Sequence, residues 1–259
     1  MARKPVVVVT GASKGIGLAV TRLLLTEFEA IVVALSRTRS PELLELRASH
    51  SSALLSVECD VTDAANLTEA IGLAVKTYTH IDGLILNAGV LEPMGRIGDT
   101  SISLDEWKSH FDVNFFSLIT ALRAALPALR QSEVGGRVVF VSSGAAVGGT
   151  AGWGPYNASK AAMNSLCRTL AQEEPDVISV ALRPGMVDTN MQALIRDRGV
   201  SSLTEKDYQK FSLAHAEGKL VKPEDSGHVI AALVLKAPKS LSGQFVSWDS
   251  EDCKEFRRK

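Results

Sequence analysis

The sequence predicts an α/β protein, a doubly wound parallel sheet of about seven strands with helices on both faces, as one domain over residues 1–259. Three observations predict it. Short β-branched runs alternate with longer stretches of helical periodicity, the pattern of right-handed βαβ crossovers. The first of these runs ends in a glycine turn that opens directly into a helix. A length of 259 residues also suits one α/β domain with a single large core.

Composition excludes several function classes. With 28 basic and 29 acidic side chains the net charge is −1, which leaves no electrostatic footprint for nucleic acid or an anionic membrane. Cys59, Cys167 and Cys253 are far apart and form no CxxC pair, which suits a reducing compartment. His50, His80, His110, His215 and His228 lack the short spacings of a metal site and are read as structural or solvated, so no metal is expected. The apolar run after Pro5 gives way at once to TGASKG, too early for a signal core, and no apolar run approaches the ~20 residues of a bilayer span. The expectation is a soluble, cytoplasmic protein. The sequons at Asn66 and Asn157 are accordingly taken as accidental.

In chain order, Val6 to Thr10 is a strand buried on both faces. In TGASKGIG, glycines stand at 11, 15 and 17, and Leu18, Val20, Leu23, Leu24 and Phe28 follow with helical spacing. Strand, glycine turn and helix place backbone N–H groups and the positive helix end where they can hold a pyrophosphate, so Gly11, Ser13, Lys14, Gly15, Ile16 and Gly17 are candidate cofactor residues. Gly11 to Gly15 also satisfies the GxSxG elbow of serine hydrolases. That elbow needs earlier strands to build an oxyanion hole, and only one strand precedes it here. Ile31 to Leu35 is the second strand, followed by Ser36-Arg37-Thr38-Arg39. An acid would serve a ribose 2′-OH there, whereas Arg37, helped by Lys14, suits a 2′-phosphate, which predicts NADP(H).

The alternation continues with a helix over 41–48, a strand over 53–59 ending at Asp60, a helix over 64–78 and a strand over 81–86 that runs into Asn87-Ala88-Gly89. Ser103 to Glu106 is a capping box, so a long helix is expected over 104–130, bent or ended at Pro127 and carrying Asn114 among apolar neighbours. Arg137 to Val141 is a strand ending at Ser142 and Ser143. In WGPYNASKAA, Pro155 opens a helix that carries Tyr156 and Lys160 four residues apart. Such residues are neighbours on one face, so the ammonium is expected to lower the phenol's pKa and make it a usable acid. The 186–222 segment is long for a connection, carries helix signals at 191–197 and 204–216, and is read as a substrate lid. Trp153, Met186, Met191, Leu194 and Phe211 are candidates for an apolar pocket. A helix from Pro223 and a strand over 244–248 close the chain.

TGASKGIG, Asp60, Asn87-Ala88-Gly89, Asn114, Ser143, Tyr156-x-x-x-Lys160 and Pro184-Gly185 together resemble the short-chain dehydrogenase/reductase family, over almost the whole chain. Within the family the chain is similar to sepiapterin-reductase-like and benzil-reductase-like carbonyl reductases, including fungal members. The resemblance implies a Rossmann-type fold and a catalytic set of Ser143, Tyr156, Lys160 and Asn114. Ser143 would polarise a substrate carbonyl, Tyr156 would give the proton, and Lys160 would tune Tyr156 and bind the nicotinamide ribose. Asn114 would hold a proton path to Lys160. It further implies that Asp60 and Val61 meet the adenine, that Asn87, Ala88 and Gly89 line the cofactor ribose, and that Pro184, Gly185, Val187 and Thr189 lie beside the carboxamide. A homodimer through the helices over 104–130 and 156–174 is also implied, with a tetramer left open. The expected activity is NADPH-dependent reduction of a ketone or dicarbonyl, aromatic or pteridine-like. A non-catalytic NADP(H) sensor and, more remotely, a serine hydrolase are the alternatives.

Overall fold

The computed structural model describes residues 3–258, so residues 1, 2 and 259 of the predicted domain lie outside the described residues. One seven-stranded sheet runs through it in the order β3-β2-β1-β4-β5-β6-β7, every pair parallel. The strands are β1 Val6–Thr10, β2 Ile31–Ser36, β3 Leu54–Glu58, β4 Gly83–Leu86, β5 Arg137–Val141, β6 Ile178–Arg183 and β7 Phe245–Ser247. The helices are α1 Gly15–Thr26, α2 Pro41–Ser49, α3 Ala64–Tyr78, α4 Leu104–Phe111, α5 Ser117–Leu129, α6 Gly154–Glu173, α7 Asn190–Arg198, α8 Glu205–Ala216 and α9 Pro223–Lys236.

Successive strand residues face opposite sides of the sheet, so each side carries its own core. Val7, Val9, Val32 and Val139 pack under α1 and α9 through Val20, Leu24, Ile230 and Leu233. Val6, Val8, Leu84 and Phe140 pack under α3, α5 and α6 through Leu67, Ile71, Leu118 and Met163. The strand order reverses between β1 and β4, and ligands of open α/β sheets gather in the crevice at that switch, beyond the strands' carboxyl ends.

Four readings are corrected. The strand β6 was not among those singled out in the sequence. The helix expected over 104–130 is interrupted: α4 passes through a π-helical turn, Asp112–Phe116, before α5 begins. Pro127 does not end it either, since α5 continues to Leu129, whose buried side chain joins the core under the sheet. The stretch Leu104–Leu129 is long and apolar enough to span a bilayer by composition, which also corrects the expectation that none would be. It carries Asp105, Glu106, Lys108, Asp112 and Arg123, and its apolar side is spent on the sheet and α3.

Candidate active site

The site stands at the carboxyl ends of β1, β4, β5 and β6. At the β1 end the chain turns through Gly11 at φ +67°, a left-handed conformation that favours glycine. A Cβ on Gly17 would lie 2.2 Å from the Gly11 carbonyl oxygen and 2.6 Å from Asn87 Nδ2, so only glycine fits where α1 meets the loop. The α1 N-terminus carries neither a side-chain cap nor an acid in its first turn, which leaves its first N–H groups facing outward. Gly15 faces Thr189, the N-cap of α7, which is likewise uncapped, and a Cβ on Gly15 would lie 3.2 Å from Thr189 Cγ2. Uncapped donors beside a cradle that any Cβ would fill suit a bound pyrophosphate.

Asn87 holds this cradle to β4. Its Nδ2 donates to the Thr10 and Gly11 carbonyls at 2.9 and 3.2 Å. The main-chain N–H groups of Asn87 and Ala88 both donate to Thr10 Oγ1. Thr10 is therefore a site residue that the sequence reading passed over. At the β2 end, Ser36 Oγ donates to the Thr38 carbonyl and bends the loop, and Arg37 stands exposed on it, as Lys14 does on the glycine turn. Asp60 accepts from Thr62 N–H and Oγ1 at 2.9 and 2.8 Å. These bonds, main chain first, with Arg37 adding a smaller pull, hold its carboxyl below the ordinary carboxylate range. Asn66, set aside as an accidental sequon, accepts the Asp60 N–H. Val61 is buried in the core under α3.

Two serines end β5, and the structure separates them. Ser142 Oγ donates to Asn164 Oδ1 at 2.6 Å inside the core, whereas Ser143 accepts from Ala145 N–H and faces the Tyr156 phenol. Tyr156 and Lys160 occupy the first turns of α6, with Pro155 opening the helix as expected. Both are buried, at 7 % and 4 % exposure. Burial pushes the Tyr156 phenol above its ordinary value, and the neighbouring Ser143 hydroxyl pulls the other way. Burial outweighs the Lys160 charge here, contrary to the sequence expectation of a lowered phenol pKa. Lys160 Nζ lies 5.7 Å from the Tyr156 ring centroid and donates to the Val141 carbonyl at 2.8 Å. Burial lowers its own pKa to about 8.

Asn114 sits in the π-helical turn, fully buried. Its Oδ1 accepts Val90 N–H and its Nδ2 donates to Val90 O, both at 2.8 Å. A Cβ on Gly89 would lie 3.4 Å from Asn114 Oδ1 and 3.8 Å from Lys160 Nζ, so these two groups flank the Asn87–Gly89 loop. On the β6 side, Gly185 turns at φ +85° after Pro184, and Thr189 Oγ1 donates to the Val187 carbonyl. The 186–222 segment is closed at its base, where Asp188 N–H donates to Val221 O and Val221 N–H to Met186 O, and α7 and α8 form its body.

The pocket candidates come together. Trp153 meets Tyr156 edge-on at 5.7 Å and Phe211 at 5.2 Å, and Met186, Met191 and Leu194 pack against them. Leu91, Ala145, Ile195 and Leu203, which sequence did not single out, complete this cluster. Trp153 Nε1 is buried without a partner. His110, read from sequence as structural or solvated, lies buried beside the site and bonds to Asn114. Among the described residues, no group of three His, Cys, Asp or Glu side chains forms a metal cluster.

This sheet, glycine cradle and buried Ser, Tyr and Lys define an oxidoreductase of the short-chain dehydrogenase family, to which the chain belongs. The model of that family, described as short chain dehydrogenase, matches residues 5–199. The chain is 42 % identical to an uncharacterized oxidoreductase of Schizosaccharomyces pombe, over 95 % of this chain and 96 % of that one. It is 36 % identical to a benzil reductase ((S)-benzoin forming) of Saccharomyces cerevisiae, with 95 % and 96 % covered. A crystal structure of a short chain dehydrogenase/reductase from Saccharomyces cerevisiae superposes with a TM-score of 0.93 at 34 % identity, covering 98 % of this chain and all of that one. Members of the family work with nicotinamide cofactors.

Proposed function

We propose that the protein is an NADPH-dependent carbonyl reductase acting on aromatic ketones or dicarbonyls, among them benzil-like diketones and pteridine-like carbonyls. The observation that carries this reading is a phenol kept protonated by burial, neighboured by Ser143 and packed in a cluster with Trp153, Phe211, Met186 and Met191. A bound NADPH supplies the hydride. Lys14, Gly15, Ile16 and Gly17 would hold its phosphates at the uncapped α1 terminus, and Arg37 its 2′-phosphate. Asp60 and Val61 would border the adenine, Asn87, Ala88 and Gly89 the ribose, and Pro184, Gly185, Val187 and Thr189 the carboxamide.

Ser143 donates its hydroxyl hydrogen to the substrate carbonyl and so polarises it, while the aromatic cluster excludes water and orients the ring. Tyr156 then gives its proton to the carbonyl oxygen as negative charge builds there. The phenolate left behind is stabilised by the nearby Lys160 ammonium, whose pKa of about 8 lets it pass a proton back to the tyrosine. Asn114 holds the Gly89–Val90 backbone that flanks Lys160.

NADPH absorbance followed with benzil, aromatic ketones and pteridines tests the reading. Turnover of at least one of them with NADPH in preference to NADH is expected. Tight NADPH binding with no turnover of any would identify a sensor instead. We further read the protein as cytoplasmic and as a homodimer through α4–α5 and α6, where Phe116 is exposed. Light scattering reads the dimer directly.

A further inference from the structure

Among the described residues, His110 is the histidine packed against this site. It is 2 % exposed, and its ring meets Tyr156 edge-on at 6.2 Å. Its Nδ1 lies 2.7 Å from the Glu92 carbonyl oxygen. A carbonyl only accepts, so Nδ1 carries the proton and Nε2 is a bare acceptor. At Nε2 stand Asn114 Nδ2 at 2.9 Å and Ser159 Oγ at 3.0 Å. Asn114 cannot turn its amide round, because Val90 already fixes which end is the oxygen: Oδ1 takes the Val90 N–H and Nδ2 gives to the Val90 carbonyl. The second Asn114 N–H has His110 as its near acceptor, Ser159 Oγ being 3.4 Å away. The single Ser159 hydroxyl hydrogen goes to the Tyr156 carbonyl at 3.1 Å, which leaves the Nε2 lone pair to the Asn114 N–H, with the imidazole packed between the π-helical turn and the first turn of α6. A π turn of this kind is commonly kept for a functional side chain.

We propose that His110 is a positioning residue: as a neutral ring protonated on Nδ1, it fixes the Asn114 amide and, through it, the Gly89–Val90 backbone against Lys160. The proposal rests on the reading of Asn114 and Lys160 as parts of the active centre. A second proton, on Nε2, would take the acceptor away from Asn114 and leave that N–H with only the long contact to Ser159. The titratable groups facing the ring are Lys160 and Tyr156 of α6, while the Glu92 carboxylate is committed to Arg198 at the surface. Burial lowers the imidazole pKa, the Glu92 carbonyl opposes it, and the Lys160 charge lowers it further, which keeps the ring neutral at the working pH.

The parent protein tests the tautomer without any variant. Nitrogen-15 imidazole shifts at neutral pH are expected to show Nδ1 protonated and Nε2 bare for His110, and an Nε2-protonated or cationic ring overturns the proposal. The functional half uses two variants. His110→Leu removes the acceptor, and a kcat loss of about 10- to 100-fold with KM and NADPH affinity little changed is expected. His110→Gln places an amide oxygen where Nε2 stood, and it is expected to restore most of the kcat while removing the acid-side inflection expected in the parent's pH profile below the ordinary imidazole range. Parent-like kcat and pH profile in His110→Leu overturn the proposal, as does a His110→Gln protein that folds but is as slow as His110→Leu. If the parent itself reduces no carbonyl, the proposed function fails, and the tautomer measurement still decides the geometry by itself.

Discussion

Asp82 and Lys160 are both buried charges, one before the start of β4 and the other beside the end of β5. Asp82 accepts from Val6 N–H at 2.9 Å, from Arg3 at 2.9 Å and from Ser132 Oγ at 2.6 Å, with His80 Nε2 at 3.4 Å. Lys160 donates one strong bond, to the Val141 carbonyl, and among the described residues no carboxylate pairs with it. A carboxylate whose lone pairs are filled by four groups from three segments locks those segments together, and it has nothing left to give a ligand. An ammonium with donors unspent and a pKa near 8 is expensive to bury, and it remains available for chemistry. The amino-terminal end of the sheet is therefore built for stability and the carboxyl end for reaction.

Substitutions at the two ends should separate activity from stability. The largest effect is expected for Tyr156→Phe, which keeps the ring and deletes the acid. Turnover should fall about 10²- to 10⁴-fold while the unfolding midpoint stays put, and parent-like turnover would remove Tyr156 from the mechanism. Lys160→Met should also cost activity, yet at pH 7 it should stabilise the cofactor-free protein by an amount on the order of 2 to 3 kcal/mol. The lysine pKa is lowered on folding, so between about 8 and its ordinary value of 10.5 the unfolded chain holds the proton more tightly. The parent accordingly gains stability as pH rises through that window, and the advantage of the Met variant should shrink over the same range in urea titrations. A Met variant that is less stable at pH 7 would refute the view that this charge is under-partnered.

Asp82→Ala should do the reverse. Leaving the Val6 N–H and the Ser132 hydroxyl without their acceptor should cost about 2 to 3 kcal/mol by denaturant unfolding, with kcat of the folded fraction unchanged. The smallest effect concerns an exposed charge at the reactive end. Arg37→Ala should weaken NADPH binding by about 1.5 to 3 kcal/mol and scarcely touch NADH, and equal losses for both cofactors would defeat the 2′-phosphate assignment.

Much of this was legible locally. The capping box at Ser103 to Glu106 forms as its spacing predicts, and α3 spans Ala64–Tyr78 as read. The strand β6 escaped because Ser179 interrupts its apolar run. That serine is buried only because its hydroxyl finds the Cys167 carbonyl on α6, a partner the local pattern cannot show. The break between α4 and α5 was equally hidden, since Asn114 in the π turn answers to Val90, far upstream in the chain. His110 looked like any histidine on a helix until the Glu92 carbonyl and Asn114 converged on its two nitrogens.

By itself the sequence determined the alternation of strands and helices, the glycine turn that leaves α1 uncapped, and the placing of Tyr156 and Lys160 on one helical face. Each depends on spacing within one short stretch, which backbone geometry converts directly into position. The tertiary structure alone decided that Ser142 is spent on Asn164 in the core, that Trp153 packs against Phe211, and that the phenol's pKa rises where the i, i+4 lysine was expected to lower it. Desolvation depends on every element packed around a group, and it outweighs a single neighbour once the site is closed from water.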